Sequence, residues 1–325
     1  MRPVSAAQTS PSPMPSPAPS GATASQPVGD AADPLAALKD PTSLTKVGLV
    51  VLGLAALYWV FLYQQHRHSW GNADWSHAYF VPFISLWMVW QHRRALAVAR
   101  LGVFWPGLAP LLMGVVCYAF FLVGVPNHLG QGLSFILTVF GVCLLLLGPG
   151  AVPSLFFPIA YLLFAVTVPE KIMNFVTYPL QDLAARGGWL MLRMVGYDVD
   201  RTGNVLYMLL ADGSSHPLNV AEQCNGMRMV VGFLALGAAV ALVAVRTWWK
   251  RVVLVAVAAP IALLVNVARV AVLGGISVVN SDLAQGEAHM WIGTLLLVPG
   301  FFLFMGVLKA LNVAVPEPAA EGGVK

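Results

Sequence analysis

Apolar residues run through this chain in long uninterrupted blocks rather than in the two-residue alternation of a half-buried strand. A bilayer core of about 30 Å needs about 20 apolar residues in a helix. Eight blocks meet or approach that length, at residues 46–63, 78–90, 104–125, 132–148, 155–169, 226–245, 252–279 and 290–310. The second is short and holds Pro82, so it is expected to lie tilted or half-buried. The seventh is long and holds Pro260, where a break is expected. Between the fifth and sixth blocks the pattern changes twice. From Ile172 to Val195 apolar positions are spaced among Asn174, Gln181, Asp182, Arg186 and Arg193, which suits a helix lying in the membrane interface. From Tyr197 to Val220 short β-rich stretches flank Asp212-Gly213, which predicts a β-hairpin. The expected fold is an all-α polytopic membrane protein. It has about eight transmembrane helices, with a small external β-hairpin and an interfacial helix between helices 5 and 6.

The ends differ from the middle. Residues 1–45 are rich in Pro, Ser and Ala, as in Pro11-Ser12-Pro13-Met14-Pro15-Ser16-Pro17, and show no apolar face, so a disordered cytoplasmic tail is expected. They do not read as a cleavable signal peptide, because the apolar stretch comes late and is long enough to stay as a span. Residues 46–310 form the expected transmembrane domain, with 170–224 as its external insertion, and 311–325 form a second short cytoplasmic tail.

Composition agrees with the pattern. Hydrophobic residues make up 58% of the 325 and charged residues 10%, against about 25% charge in a soluble domain, and the mean hydropathy is +0.76. The net charge of +4 is explained by topology and needs no nucleic acid. With the N-terminus inside, the inner segments carry eleven of the eighteen Lys and Arg residues. The outer segments carry Arg67, Lys171, Arg186, Arg193 and Arg201. The short loops holding Arg93-Arg94 and Arg246 to Arg251 weigh most, since the positive-inside bias acts through short loops. Both termini are therefore expected in the cytoplasm and residues 170–224 on the external face.

That topology isolates one thiol. Cys117 and Cys143 lie inside apolar blocks, where cysteine behaves as a small hydrophobe. Cys224 lies in Glu222-Gln223-Cys224-Asn225-Gly226-Met227-Arg228, a polar segment at the external start of the sixth block. Only there do polar neighbours favour a thiolate. Arg228 follows by four residues and shares a helical face with it, either supporting the thiolate or snorkelling to the interface. Arg269 lies inside the seventh block, one to two turns below its external end, where a charge costs a few kcal/mol unless it is paired or faces a wet cavity. Asn266, one turn away, is placed to steady it. His289 stands at the external entrance of the last block and is suited to general-base work. Composition alone does not select the base, since His66, His68, His77, His128 and His216 share that side. No His/Cys/Asp/Glu set has metal-ligand spacing, no cofactor motif occurs, and neither the His-Glu-x-x-His nor the Gly-x-Ser-Gly pattern is present.

Three segments together resemble a known family. Glu222-Gln223-Cys224-Asn225-Gly226-Met227-Arg228, Asn266-Val267-Ala268-Arg269-Val270 and His289 before a final span are similar to the exosortase/archaeosortase family. Asp74-Trp75-Ser76-His77-Ala78-Tyr79-Phe80-Val81-Pro82 resembles that family's segment before its second helix. The family commonly shows Cys-Ser-Gly-Leu-Arg, whereas Asn225 stands here in place of Ser, a departure that bears on subclass and substrate. The resemblance implies a membrane cysteine transpeptidase or protease acting on the C-terminal sorting tails of exported proteins, each a short motif, a transmembrane helix and a basic cluster. It further implies an inner-membrane location with an external site and a link to exopolysaccharide or biofilm export. In that reading Cys224 is the nucleophile, His289 the base, and Arg269 the oxyanion or thiolate partner. Gly226 leaves room for the substrate backbone, and Arg228 supports from behind. Lipid and the tail-bearing proteins are the expected partners. A multi-pass transporter with Arg269 in a solute site, or a scaffold of polymer export, would also explain the spans, although no internal repeat is evident.

Overall fold

The computed structural model describes residues 41–72, 75–210, 213–220, 226–279, 291 and 295–316, with the backbone alone described at 226–229. Of the two expected tails, residues 1–40 and 317–325 lie outside the described residues, whereas 41–45 and 311–314, expected as tail, are helical. Within them the protein is mostly helical. Helix α1 (Pro41–Leu57) turns through 73° at Tyr58 into α2 (Trp59–Ser69). A single 3-10 turn (Ser76–Tyr79) leads to α3 (Val81–Gln91), whose Pro82 sits in the first turn, where a missing N–H is harmless. After the short α4 (Arg93–Val98) come α5 (Leu108–Ala119), α6 (His128–Leu147) and α7 (Val152–Tyr161). Helix α8 (Glu170–Met194) is followed by strands β1 (Val199–Thr202), β2 (Val205–Leu209) and β3 (Ser215–Asn219). Among the described residues α9 (Gly226–Ala244), α10 (Trp248–Val279) and α11 (Leu297–Ala314) then follow.

This is a multi-pass membrane protein. Four helical stretches, Trp105–Gly124, His128–Leu147, Trp248–Val279 and Leu297–Ala314, are long and apolar enough to cross a bilayer, and each of two bent pairs can serve as one more. The bent pairs are α1 with α2 and Pro149–Ala165 with α8, the latter turning by 84°. Of the remaining apolar blocks, 78–90 coincides with α3, only 11 residues long, and 226–245 with α9.

Two expectations are corrected. Pro260 does not break the seventh block, because α10 runs continuously for 32 residues through it. Neighbouring helices re-satisfy the backbone that a membrane proline frees. The predicted hairpin is a three-stranded antiparallel meander in the order β1-β2-β3. The extra turn is at Gly203-Asn204, enclosed by the Thr202 and Val205 pair, with Gly203 at φ +60°. Glycine in the first central position is what a two-residue type II′ turn requires. Gly213 of the expected Asp-Gly turn lies between β2 and β3 with φ +81°, and Asp212 lies outside the described residues. Pro217 is tolerated because β3 is an edge strand.

Glycines and a few hydroxyls bring the helices together, as expected where lipid supplies no hydrophobic drive. A methyl group on Gly107 or Gly141 would collide with the backbone of Leu145 or Leu111, so α6 and the stretch leading through α5 are in backbone contact. Tyr58, wholly buried at the α1/α2 bend, hydrogen-bonds the Thr138 hydroxyl at 2.6 Å and the Ser134 carbonyl at 3.2 Å. Ser85 donates to the Pro158 carbonyl at 2.7 Å, and Tyr161 donates to the Ala235 carbonyl at 3.1 Å, linking α3 to α7 and α7 to α9. At the far end, buried Lys250 donates to the Val315 carbonyl at 2.5 Å and to Asn312 at 3.3 Å, tying the foot of α10 to the end of α11.

Gly141→Ala should destabilise the protein by about 1–3 kcal/mol, the usual cost of overpacking, because the obstructing atoms are Leu111 backbone. Thermal unfolding in detergent checks this. Gly306→Ala, in the interior of α11 with nothing within 4 Å of the added methyl, should not lower the midpoint and should raise it slightly.

Candidate active site

Arg269 and Asn266 project from one face of α10, since residues three apart lie about 60° from one another around a helix. Both are buried, at 5% and 1% exposure. The flanking faces are occupied. On one side Val265 packs with Phe233 of α9 around Gly300 of α11. On the other, Val267 and Val270 seat against Gly187 and Gly188 of α8, where a side chain would collide with them. The Asn266–Arg269 face therefore points into the junction between α8 and α9.

The register of α9 against α10 sets which part of α9 it meets. The helices are joined by only residues 245–247, so they run antiparallel. Gly237 lies directly against Ala258, since a methyl on Gly237 would come 2.9 Å from that of Ala258. Gly226 is eleven residues back along α9 from Gly237, and Arg269 is eleven residues on along α10 from Ala258. Equal rise in both helices puts the first residue of α9 level with Arg269.

The sheet forms the roof. Leu206, Met208, Leu218 and Val220 share a buried cluster with Ala184, Ala185 and Leu192 of α8 and with Val270 and Leu273 of α10. Trp189 donates its indole N–H to the Val199 carbonyl at 3.0 Å, pinning β1 to α8. Val220, at the end of β3, is thus fixed beside Val270, and Gly226 is fixed level with Arg269. Residues 221–225 join these two anchors. Cys224 and Asn225 fall in that join, and His289 falls in 280–290; all three lie outside the described residues, as do the side chains of Met227 and Arg228.

One expected contact is absent. Among the described residues neither Asn266 amide atom has a hydrogen-bond partner, so no hydrogen bond joins Asn266 to Arg269. The guanidinium engages another group instead.

His77 sits in the 3-10 turn before α3, half-buried, its ring 5.7 Å from that of Trp75. Nearby is a cavity of about 290 Å³ lined by His68, Asn72, Trp75, His128, Thr167 and Glu170, among others. Gln65 organises it, accepting from the Thr167 N–H at 3.2 Å and hydrogen-bonding His128 Nε2 at 2.9 Å. This role of Gln65 was not legible in the chain, because its partners are 63 and 102 residues away. His66 hydrogen-bonds the Tyr79 hydroxyl at 2.9 Å, and His216 lies on β3 opposite Met208. Among the described residues no group of three potential ligands could hold a metal ion.

On the outward side of α8, Asp182 accepts from Arg201 at 2.8 Å and from Arg186 at 2.7 Å, beside an open cavity of about 520 Å³ lined by Arg186, Trp189, Leu190, Asp200 and Arg201. The Arg201 hydrogen bond, with Arg186 adding to it, holds the Asp182 carboxyl below its ordinary value. This links the sheet to α8.

The model of the transmembrane exosortase family matches residues 70–306, which contain α3 to α10, the sheet, and all the candidate site residues. No curated protein and no solved structure matches the chain. The chain belongs to the transmembrane exosortase family.

Because the folded state lowers the Asp182 pKa, the Asp182–Arg201 pair stabilises above the usual carboxylate range and is lost as pH falls through the folded value. Arg201→Ala should therefore lower the thermal midpoint slightly at pH 7. The difference from wild type should shrink in acid, once Asp182 is protonated in both proteins, to what the Arg201 bond to the Gly203 carbonyl contributes.

Proposed function

We propose that this protein is a membrane cysteine transpeptidase or protease that cleaves the C-terminal sorting tail of exported proteins at the outer face of the cytoplasmic membrane. The match to the transmembrane exosortase family over most of the chain carries the reading. The register that sets Gly226 level with Arg269 supports it, because Cys224 is only two residues before Gly226.

In this proposal the 46–310 domain crosses the bilayer eight times with both tails inside, and 170–224 is the external insertion. The substrate's own helix docks laterally among the spans and presents a peptide bond near the outer surface. The Cys224 thiolate attacks the carbonyl and expels the C-terminal piece, leaving a thioester. His289 takes the thiol proton, protonates the leaving amine, and then activates the acceptor. Arg269 is a fixed positive charge in a water-poor site, where such a group acts strongly on developing negative charge. Free N–H groups in the first turn of α9 add to that field. Gly226 lets the substrate backbone approach, Arg228 supports the thiolate, and Asn225 bears on which tail is accepted. His77 supports from the segment before α3. An amine acceptor gives transfer, and water gives proteolysis.

Co-expression with a tail-bearing exported protein, followed by gel analysis of its cleavage, tests the reading. Cys224→Ala should abolish processing, whereas a transporter or scaffold would keep its function. Arg269→Ala should slow processing by about 10²- to 10³-fold, and His289→Ala by about 10²- to 10⁴-fold. Cleavage that persists in Cys224→Ala would falsify the proposal.

A further inference from the structure

The histidines, the threonine and the glutamate that line the cavity of about 290 Å³ are left as hydrogen-bond acceptors. The Gln65 amide decides this. Its Nε2–H donates to Ser69 Oγ at 2.9 Å and its Oε1 accepts from the Thr167 N–H at 3.2 Å, so the amide has one orientation. Oε1 cannot donate, so His128 Nε2, 2.9 Å away, carries the ring proton. A second proton on His128 Nδ1 would be a buried donor with no partner among the described residues, so Nδ1 holds a lone pair. His68 Nδ1 donates to the Gln64 carbonyl at 2.6 Å, which leaves Nε2 as the acceptor of the neutral ring. The Thr167 hydroxyl gives its proton to Gln65 Oε1 at 3.4 Å and keeps its lone pairs. Glu170 is the only formal charge among the described lining residues. Arg67 and Lys171 adjoin His68 and Glu170 in the chain, but neither lines the cavity.

This lining selects a class of ligand. An anion would meet a carboxylate and further lone pairs. A metal ion needs ligands that converge, and among the described residues no group of three can hold one. A protonated primary amine has three N–H donors, no acceptor and one positive charge, the complement of this wall. Trp75, 8% exposed, adds an aromatic face to which a cation is attracted. We infer that this cavity binds a primary ammonium group, carried by a small free amine or by the head group of a membrane lipid. The place suits both sources. His128 opens a helix long and apolar enough to cross the bilayer, and His68 lies near the end of the bent α1/α2 pair. The cavity is therefore at the ends of apolar helices, where lipid head groups begin. The inference rests on the cavity alone and does not depend on the catalytic reading.

The test uses full-length protein in detergent. Phosphatidylethanolamine and phosphatidylcholine are titrated in separately and bound lipid is counted by native mass spectrometry; the two head groups carry the same charges, but only the first has N–H donors. Ethylammonium chloride, followed by saturation-transfer NMR, is the soluble arm, with sodium propionate as the anionic control. An amine probe should bind about 10- to 100-fold more tightly than its control, the usual worth of hydrogen bonds to a charged group. Glu170→Gln and His68→Phe should each weaken amine binding about 10-fold or more at an unchanged thermal midpoint. His68→Phe keeps the ring that stacks on His128, with centroids 4.9 Å apart, and so removes the acceptor without the packing. Asp182→Asn, which removes a carboxylate farther along α8, should leave binding unchanged. Binding of both amine probes assigns the site to the ammonium group itself, and binding of phosphatidylethanolamine alone assigns it to a lipid head group. Three results would each overturn the inference: equal retention of the two lipids without ethylammonium binding, tighter binding of propionate than of ethylammonium, or wild-type affinity in either cavity variant.

Discussion

The contact of Gly237 with Ala258 is small, but the geometry of the candidate site depends on it. Two helices joined by three residues must lie side by side, yet their register is free until something fixes it. Here α9 offers no side chain at Gly237 and α10 offers only a methyl, so the backbones come as close as helices allow. That fit holds the start of α9 level with Arg269. A slip of one helical turn would move the two apart by about 5.4 Å, more than a hydrogen bond can span. Phe304 and Gly300 of α11 pack onto the same pair, and the sheet closes the other end through Val270 and Leu273.

Burying an arginine and an asparagine beside one another in such a scaffold works against stability. The surrounding structure meets the cost by over-determining the site: α8 presses on it through Gly187 and Gly188, and the three-stranded sheet caps it. Sites that must act on charge as it develops are built this way, with dipoles and cations fixed before the reaction so that none has to be reoriented during it. The sheet has a second effect. It fixes Val220 on one side of residues 221–225, while α9 begins at Gly226 on the other.

The histidine-lined cavity behind α6 follows different rules. It is assembled from α2, the turn before α3, the head of α6 and the residues before α8, with Gln65 as the common bond. Its residues are exposed or half-buried for the most part, and no Lys or Arg lines it. It is thus chemically unlike the Arg269 junction, where a cation is enclosed by apolar walls.

Much of this was legible in the linear chain. Long apolar blocks dictate helices because a backbone in lipid must satisfy its own hydrogen bonds, and every block falls on a described helix or helix pair where it is described. The helix read from Ile172 to Val195 is α8, and Arg269 stood out because a charge inside an apolar block needs a reason. The family resemblance was carried by short motifs whose residues are local in sequence. Other features required the third dimension. The second turn at Gly203 depends on how β1 meets β2, and a run of strand-forming residues does not announce where it folds back. Pro260 stays inside a continuous helix because neighbouring helices, not the sequence, decide whether a freed carbonyl finds company. Asn266 looked like a partner for Arg269 on spacing alone, but only side-chain directions and burial reveal that its amide is left unbonded. Sequence determined which segments are apolar enough to form helices and which family the motifs resemble, because both are properties of single residues and their near neighbours. Which helix positions lie level was decided by close contacts such as Gly237 against Ala258 and Gly188 against Val270, because helix register is a property of packing and not of the linear pattern.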